Sequence, residues 1–505
     1  MAWPVLEKDR MNRRQFLAAM GVAGSAVTLP GCLSRLAHQD KSSPNIIFIM
    51  ADDLGYHDLG CYGSREIPTP NCDRLADVGV KFTDAHSPSA VCTPTRYGVL
   101  TGRYCWRTWL KDWVINDRMP LVIEEGRLTV PAMLKQYGYT TGCFGKWHLG
   151  WGRCNDAYQK GILAPGPLEV GFDSFFVVPF SHNSPPASEV FVKDGGIVGM
   201  KDGESIMDEA VLARCRRRLA DTATELSAEA VRFIENNRDK PFFLYYPATN
   251  VHLPITPNER FRGRSGLGEY GDFVVEFDWA VGEVLDALDR LNLAGNTLVI
   301  VTSDNGSRHK GSNLPWRGQK AQIYEGGHRV PFIARWPGRI NRASTCDETI
   351  CLTDLMATCA ELMGFSLPHN AGEDSESFLP ALYGKKLSRG RKAIVHHSVC
   401  GMFAIRQGKW KLMEGLGHGG DFNFGIKLYE CPGLPKIDEK TGRIHDLSFE
   451  PKPFPQPGPG EPPGQLYDLD ADPGETENVW QEHPEVVRRL QKLLDRYRSS
   501  GRSRA

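Results

Sequence analysis

Two apolar runs, far apart in the chain and each ending in carboxylates, constrain this sequence most. Asn45-Ile46-Ile47-Phe48-Ile49-Met50 leads into Ala51-Asp52-Asp53, and Thr297-Leu298-Val299-Ile300-Val301-Thr302-Ser303 leads into Asp304-Asn305-Gly306. An apolar run without alternation reads as a strand covered on both faces, the habit of a central parallel sheet. Further strands are expected at Thr140–Phe144, Phe242–Tyr246 and Val330–Ala334. Helical patterns fall between them, at Pro70–Val78, Thr129–Tyr137, Thr222–Asn237, Phe273–Leu291 and Thr353–Met363. Strands alternating with helices predict an α/β fold with a large, mostly parallel central sheet flanked by helices on both faces. Ligands of such sheets bind outside the carboxyl ends of strands, where both acidic groups would stand.

The texture changes after about residue 385. Ala393–His397, Met402–Ile405 and Lys409–Met413 read as neighbouring short strands of an antiparallel sheet. Glu450 to Gly464 is rich in proline and glycine and is expected to be a loop, after which Leu466-Tyr467-Asp468-Leu469 leads to a final helix near Pro484–Tyr497. The expected organisation is a catalytic domain over residues 45–385 and a smaller C-terminal α+β domain over residues 386–505, carrying the loop 450–464. The formal net charge is -1. No global basic field recommends nucleic acid as a partner, so anion binding must be local. The thirteen cysteines lack the paired spacing of a zinc site.

One cysteine stands out. Cys92-Thr93-Pro94-Thr95-Arg96 is followed by Leu100-Thr101-Gly102-Arg103. Pro94 suits the first turn of a helix, where its missing N–H costs nothing. Cys92 would then lie at the positive helix end, with Arg96 one turn later on the same face. The acidic groups are Asp52, Asp53 and Asp304, joined by Asn305. Three carboxylates and an amide oxygen make a hard oxygen site suited to Ca2+ or Mg2+. Lys146 and His148, in Gly145-Lys146-Trp147-His148-Leu149-Gly150, follow the strand ending near Phe144 and could enter the same cleft.

The string C-T-P-T-R resembles the modification signature of the type I sulfatases, in the alkaline-phosphatase-like superfamily. Ala51-Asp52-Asp53-Leu54-Gly55-Tyr56, Gly145 to Gly150, Ser303-Asp304-Asn305-Gly306 and Tyr324-Glu325-Gly326-Gly327 look like sulfatase blocks in the family's order. Gln407-Gly408-Lys409-Trp410-Lys411-Leu412 and Asp472-Pro473-Gly474-Glu475 are similar to its tail. The resemblance implies that Cys92 is oxidised to formylglycine (3-oxoalanine) by a formylglycine-generating enzyme. It implies Ca2+ held by Asp52, Asp53, Asp304, Asn305 and an oxygen of the modified Cys92. The family places such a lysine as Lys146 against the sulfate, and such a histidine as His148 as the base for the formylglycine diol. His252, in Asn250-Val251-His252-Leu253-Pro254, matches the leaving-group-side histidine, and Lys320, in Arg317-Gly318-Gln319-Lys320, the lysine that assists the departing oxygen. Ser181-His182 looks like the family's Ser-His near the sulfate. The implied activity is hydrolysis of a sulfate ester, on a sulfated carbohydrate or an aryl sulfate. One diol hydroxyl attacks sulfur, the other expels sulfate, and Arg96, Lys146 and Lys320 supply positive charge. A phosphoester hydrolase of the same superfamily and a surface protein that binds sulfated glycans without turnover are the rivals.

Ahead of the first strand, Arg13-Arg14-Gln15-Phe16-Leu17 and the apolar run from Ala18 to Leu29 resemble a twin-arginine export signal. Leu29-Pro30-Gly31-Cys32 resembles a lipoprotein cleavage site, with Cys32 the acylated residue. The expectation is an export signal over residues 1–32, a linker over 33–44, and residence in a bacterial periplasm or cell envelope, either anchored by lipid at Cys32 or freed by plain cleavage of the signal with Cys32 incidental. Specificity is expected in the loops Trp151–Gly166, Ser181–Lys201 and Leu416–Gly464, with His309 and Lys310 as candidate substrate contacts. Trp106, Trp109 and Trp113 could line a sugar-binding rim or simply pack, and packing is the expected role.

Overall fold

β1 (Asn45–Ala51) is buried along its whole length, as its continuous apolar run requires. In this computed structural model the described residues are 43–183, 188–308, 311–387, 391–420 and 454–504. Arg13, Arg14, Cys32, His309, Lys310, most of the 33–44 linker and much of the Leu416–Gly464 loop lie outside them.

Nine further strands join β1: β2 (Val80–Phe82), β3 (Thr140–Lys146), β4 (Ser174–Val178), β5 (Val192–Lys193), β6 (Gly196–Ile197), β7 (Phe242–Pro247), β8 (Thr297–Ser303), β9 (Phe332–Arg335) and β10 (Ser344–Cys346). They form a 10-stranded sheet in the order β10-β2-β9-β8-β1-β7-β3-β4-β5-β6. The centre, β8-β1-β7-β3-β4, is parallel throughout. Toward the edges the sheet is more mixed than expected, because β9 runs antiparallel to both β8 and β2, and β5 and β6 form a hairpin. That hairpin turns at Asp194-Gly195, both with positive φ (45° and 100°), the backbone a tight two-residue turn demands.

Alternate residues of β1 face two separate cores. Ile46, Phe48 and Met50 pack with Tyr97, Met133 and Met356, from α2 (Cys92–Thr101), α3 (Val130–Lys135) and α6 (Leu355–Leu362). Ile47 and Ile49 pack with Leu75, Leu226 and Phe277, from α1 (Pro70–Asp77), α4 (Thr222–Asn236) and α5 (Gly268–Arg290). The two helical layers follow from the sheet's double-sided apolar strands. Trp106, Trp109 and Trp113 are all buried.

The smaller sheet is antiparallel: β11 (Ile394–His397), β12 (Phe403–Gln407), β13 (Trp410–Met413) and β14 (Gln465–Asp468). α7 (Pro484–Ser499) opens on a proline and lays Val487, Leu490 and Leu494 against Ile405, Leu412 and Leu466 of that sheet. Residues 454–464 carry neither helix nor strand, as their composition predicts. Ser43–Ala505 form one compact unit.

Candidate active site

The β1–β8 register pairs Ala51 with Ser303, so Asp52 and Asp304 emerge side by side at the carboxyl end of the sheet. Backbone bonds fix them there. Asp304 N–H donates to Ala51 O (3.0 Å), and Asp53 N–H donates to Asp304 Oδ1 (3.2 Å). Leu54 N–H donates to Ser303 Oγ (3.0 Å), and Asn305 Nδ2 to Asp53 Oδ1 (2.8 Å). On the other flank, Asp52 N–H donates to Asn250 O (2.7 Å), which brings the segment after β7 to the same edge. Two glycines permit close approaches here. A Cβ on Gly145 would stand 1.9 Å from Pro247 O, and one on Gly306 would stand 1.8 Å from Gly326 O. The first lets the end of β3 deliver Lys146; the second seats Asp304-Asn305-Gly306 against the Glu325-Gly326-Gly327 turn.

α2 begins at Cys92 behind an extended Val91, with Pro94 in its first turn and Arg96 one turn on. Arg96 is fully buried. It donates through Nη1 to Lys146 O (3.0 Å) and through Nη2 to Asp304 Oδ2 (2.6 Å), and stands 3.5 Å from Asp52 Oδ1. Lys146 Nζ donates to Asp52 Oδ2 (2.8 Å), and Lys320 Nζ to Asp53 Oδ2 (2.7 Å). Donor atoms of Asp52, Cys92 and Asp304 lie within 4.8 Å of one another, as do those of Asp52, Asp53 and His252. Three carboxylates thus face three cations in one buried group. Burial works against ionising Asp52, but Lys146, His252 and Arg96 hold its carboxyl well below the usual range. Burial together with the Asp52 charge pushes Asp304 up to about 7.

The residues fit a hard divalent cation. Asp52 Oδ1 and Asn305 Oδ1 are buried and accept no hydrogen bond, an arrangement that normally costs stability unless a ligand completes it. Oxygen donors from three carboxylates, Asp52, Asp53 and Asp304, and the Asn305 amide suit Ca2+.

The histidines divide. His148, at φ 52°, donates through Nε2 to Ile115 O (2.9 Å), so Nδ1 carries a lone pair, buried and without a partner. Burial, then Lys146 and Arg96, holds its pKa well below the usual value and keeps it neutral. His252 sits with Nδ1 2.7 Å from Leu253 O, Nε2 3.8 Å from Asp53 Oδ2 and Ser181 Oγ 3.3 Å from either ring nitrogen. Burial and Lys320 lower it to about 4. His182 lies fully buried beside this pair but commits both ring nitrogens elsewhere, to Thr256 Oγ1 (2.8 Å) and Arg217 Nη1 (3.3 Å). Its place is to hold the loop that carries Ser181, where sequence suggested a substrate contact. Asn250, Ser303 and Arg217 take part in the scaffold and were not singled out from sequence. Asn250 and Ser303 do lie within the blocks quoted for their neighbours, whereas Arg217 has no local signal.

The sulfatase family's sequence profile matches residues 44–365. The chain is 34% identical to N-acetylgalactosamine-6-O-sulfatase of Bacteroides thetaiotaomicron, over 92% of this chain and 96% of that protein. It belongs to the sulfatase family. Human arylsulfatase A is 36% identical, with 89% of this chain and 87% of that protein covered. A solved sulfatase from a Bacteroides thetaiotaomicron locus for glycosaminoglycan metabolism superposes with a TM-score of 0.76 at 33% identity, covering 90% of this chain and 99% of that one. The sulfatase is therefore an enzyme that hydrolyses sulfate esters, built on the alkaline-phosphatase-like fold. In this sulfatase the Cys92 thiol is almost fully buried, and burial pushes its pKa up against the pull of Lys146 and Lys320. Left as a thiol, it would be a poor nucleophile.

Proposed function

We propose that this sulfatase works through a formylglycine made from Cys92 beside a Ca2+ held by Asp52, Asp53, Asp304 and Asn305, and that its substrate is a sulfated carbohydrate. One observation carries the reading: Cys92 shares its pocket with Asp52 and Asp304 while Asp52 Oδ1 and Asn305 Oδ1 accept no hydrogen bond. Ca2+ bound there would act as a Lewis acid toward sulfate oxygens. The aldehyde would supply an oxygen nucleophile where a buried thiol cannot serve. Arg96 braces the pocket by bridging Asp304 to the Lys146 backbone. Lys146 and Lys320 present ammonium groups to the anionic ester, stabilising charge where it develops. The open Nδ1 of neutral His148 accepts the proton released during turnover. Lys320 or His252 gives a proton to the departing oxygen, and Ser181 steadies the His252 ring. An N-acetylgalactosamine-6-O-sulfatase among the relatives supports a carbohydrate substrate.

Peptide mass analysis of active enzyme tests the modification: an aldehyde at Cys92 is expected, and an intact thiol in fully active material overturns it. Sulfate release across a panel of defined sulfated sugars tests the substrate. Turnover of phosphate esters above matched sulfate esters would assign the site to the phosphoesterase branch instead. We further propose that the twin arginines Arg13 and Arg14 direct export to the periplasm or cell envelope, with Cys32 as lipid anchor. A formylglycine-generating enzyme would serve as the maturation partner. Cell fractionation with Arg13→Lys and Arg14→Lys variants checks the address, since an unchanged distribution would remove the signal.

A further inference from the structure

The charge of this chain is unevenly placed. Its formal total is -1, yet Pro484 to Arg504 holds seven Lys and Arg against two Asp and Glu. Within α7, Arg488, Lys492 and Arg496 recur every fourth residue and are exposed, so they form one stripe along the helix. None of the three forms an ion pair among the described residues. The stripe runs into a groove of about 850 Å3 whose wall includes Arg496, Lys392, Arg502 and Arg504. Its acids are Glu361 and Glu376, and burial raises the Glu376 carboxyl toward its neutral form.

The groove floor is built but incomplete. Ser503 is 8% exposed, and its Oγ is buried without a hydrogen-bond partner, as is Arg504 Nε. Arg504 is tethered by Nη2 to Pro368 O (3.4 Å) and Ala371 O (3.2 Å), and Arg502 bonds back to Arg504 O (3.0 Å). Two guanidiniums are thereby fixed near each other with no ion pair to either among the described residues. Burial and Arg502 lower the Arg504 pKa and outweigh the opposite pull of Glu373, Glu376 and Asp374. The groove is remote from the reaction. It lies behind the carboxyl end of α2, where Asp374 N–H donates to Gly102 O (2.9 Å), about 15 Å along that helix from Cys92.

We propose that this groove and the basic face of α7 form a docking track for an anionic polysaccharide, the polymer whose sulfate esters the active site removes, with a sulfate or carboxylate seated among Lys392, Arg496 and Arg502. The polymer identity rests on the carbohydrate reading above. A sulfated chain offers repeated anions to a linear row of cations and hydroxyls to the unpartnered Ser503 Oγ, which a single small ion would leave mostly unused.

The test uses the full chain carrying Lys392→Ser, Arg496→Ser and Arg502→Ser together, none of them in the catalytic group. Sulfate release is measured from a sulfated monosaccharide and from a sulfated polysaccharide that the wild type processes. KM for the polymer should rise roughly tenfold with kcat held, and the monosaccharide constants should not move. An unchanged polymer KM, or an equal loss on both substrates, overturns the track. Equilibrium binding of dextran sulfate in a Cys92→Ala background separates this from the substrate reading. Binding that is lost in the triple variant supports the track even if the wild type proves inactive on every sulfated sugar, an outcome that would sink the substrate reading alone. Displacement of dextran sulfate by sodium sulfate at equal charge would reduce the groove to a simple anion pocket, and displacement by phosphatidylglycerol vesicles would make it a membrane contact; either overturns the polymer assignment.

Discussion

Two of the buried ionic clusters among the described residues of this sulfatase each set three acids against three bases, and they differ in where they stand on the fold. The first is the active site, where Asp52 Oδ1, Asn305 Oδ1 and His148 Nδ1 have no hydrogen-bond partner. The second fastens the small sheet to the body. Lys411 on β13 meets Glu325 Oε1 (3.0 Å), Glu475 Oε1 (2.8 Å) and His328 Nε2 (3.1 Å). His328 Nδ1 faces His86 Nδ1 (3.2 Å), and His86 Nε2 faces Asp84 Oδ1 (2.8 Å). Arg406 on β12 and Arg329 close on Asp84 at 2.7 and 3.0 Å. His86 Nε2 also stands 3.0 Å from Arg406 Nη1, and His328 Nε2 stands 3.2 Å from Ile323 O, so each of these nitrogens lies between a donor and an acceptor. His396 Nε2, on the ring that stacks on His328 at 3.6 Å, and Glu475 Oε1 are buried without a hydrogen bond here. The second cluster ties the small sheet to the body through ion pairs from separate segments, whereas the first sets its open acceptors at the carboxyl edge of the central sheet, where ligands bind.

The sharpest way to break this contrast is at Cys92. Cys92→Ala should leave a folded protein with no measurable sulfate release, and undiminished hydrolysis of an aryl sulfate would remove the aldehyde from the mechanism. In the second cluster, Lys411→Met strands Glu325 and Glu475. It should cost about 3–5 kcal/mol of stability in denaturant titration, with turnover per folded molecule nearly unchanged. Lys146→Ala should show the reverse, a loss of about 3 kcal/mol in transition-state stabilisation, or roughly a hundredfold in kcat/KM, with a small change in stability. If both lysine variants lost activity and stability in the same proportion, the distinction between the clusters would fail.

Acid should separate them further. Burial holds His86, His328, His396 and His397 below the usual histidine value, His397 at about 4. The unfolded chain therefore binds more protons than the folded one below about pH 6.5, and stability falls as pH drops, by up to about 1.4 kcal/mol per unit for each group. Glu475 and Asp304, raised to about 7, and Glu276, raised to about 8, act in the opposite sense, three large upward shifts against these four histidines and the lowered His148, His182 and His252. Thermal unfolding from pH 8 to 5 should show a declining midpoint, and a flat profile would contradict buried neutral histidines. The smallest effect is expected at Ser181→Ala, a loss within about tenfold in kcat/KM, the value of one hydrogen bond to His252.

Sequence carried the parts of this molecule that depend on neighbouring residues. β8 was expected and found at Thr297–Ser303, and the acidic strand ends, the Cys92 helix start and the C-terminal helix were legible for the same local reasons. β4 is not among the expected strands, although Phe175-Phe176-Val177-Val178 is a buried apolar run. α5 begins at Gly268, ahead of the expected Phe273, since glycines at 268 and 271 mask its first turn. The antiparallel edges depend on which strand returns beside which, and no local pattern encodes that. The second cluster draws on residues 84–86, 325–329, 396, 406–411 and 475, so its members meet only through tertiary packing. The direction of the His182 ring is likewise set by Arg217 and Thr256, both distant in sequence.

The burial of Cys92 also sets a schedule. Its companion Asp304 sits on a strand end synthesised roughly 200 residues later, which at 5–20 residues per second takes about 10–40 s of translation. Until that strand inserts beside β1, the α2 terminus has no completed pocket around it; afterwards the side chain is almost wholly enclosed. On the proposed aldehyde mechanism, an enzyme that oxidises this cysteine would have to reach it before the sheet closes, and the competent fraction would be set before folding ends.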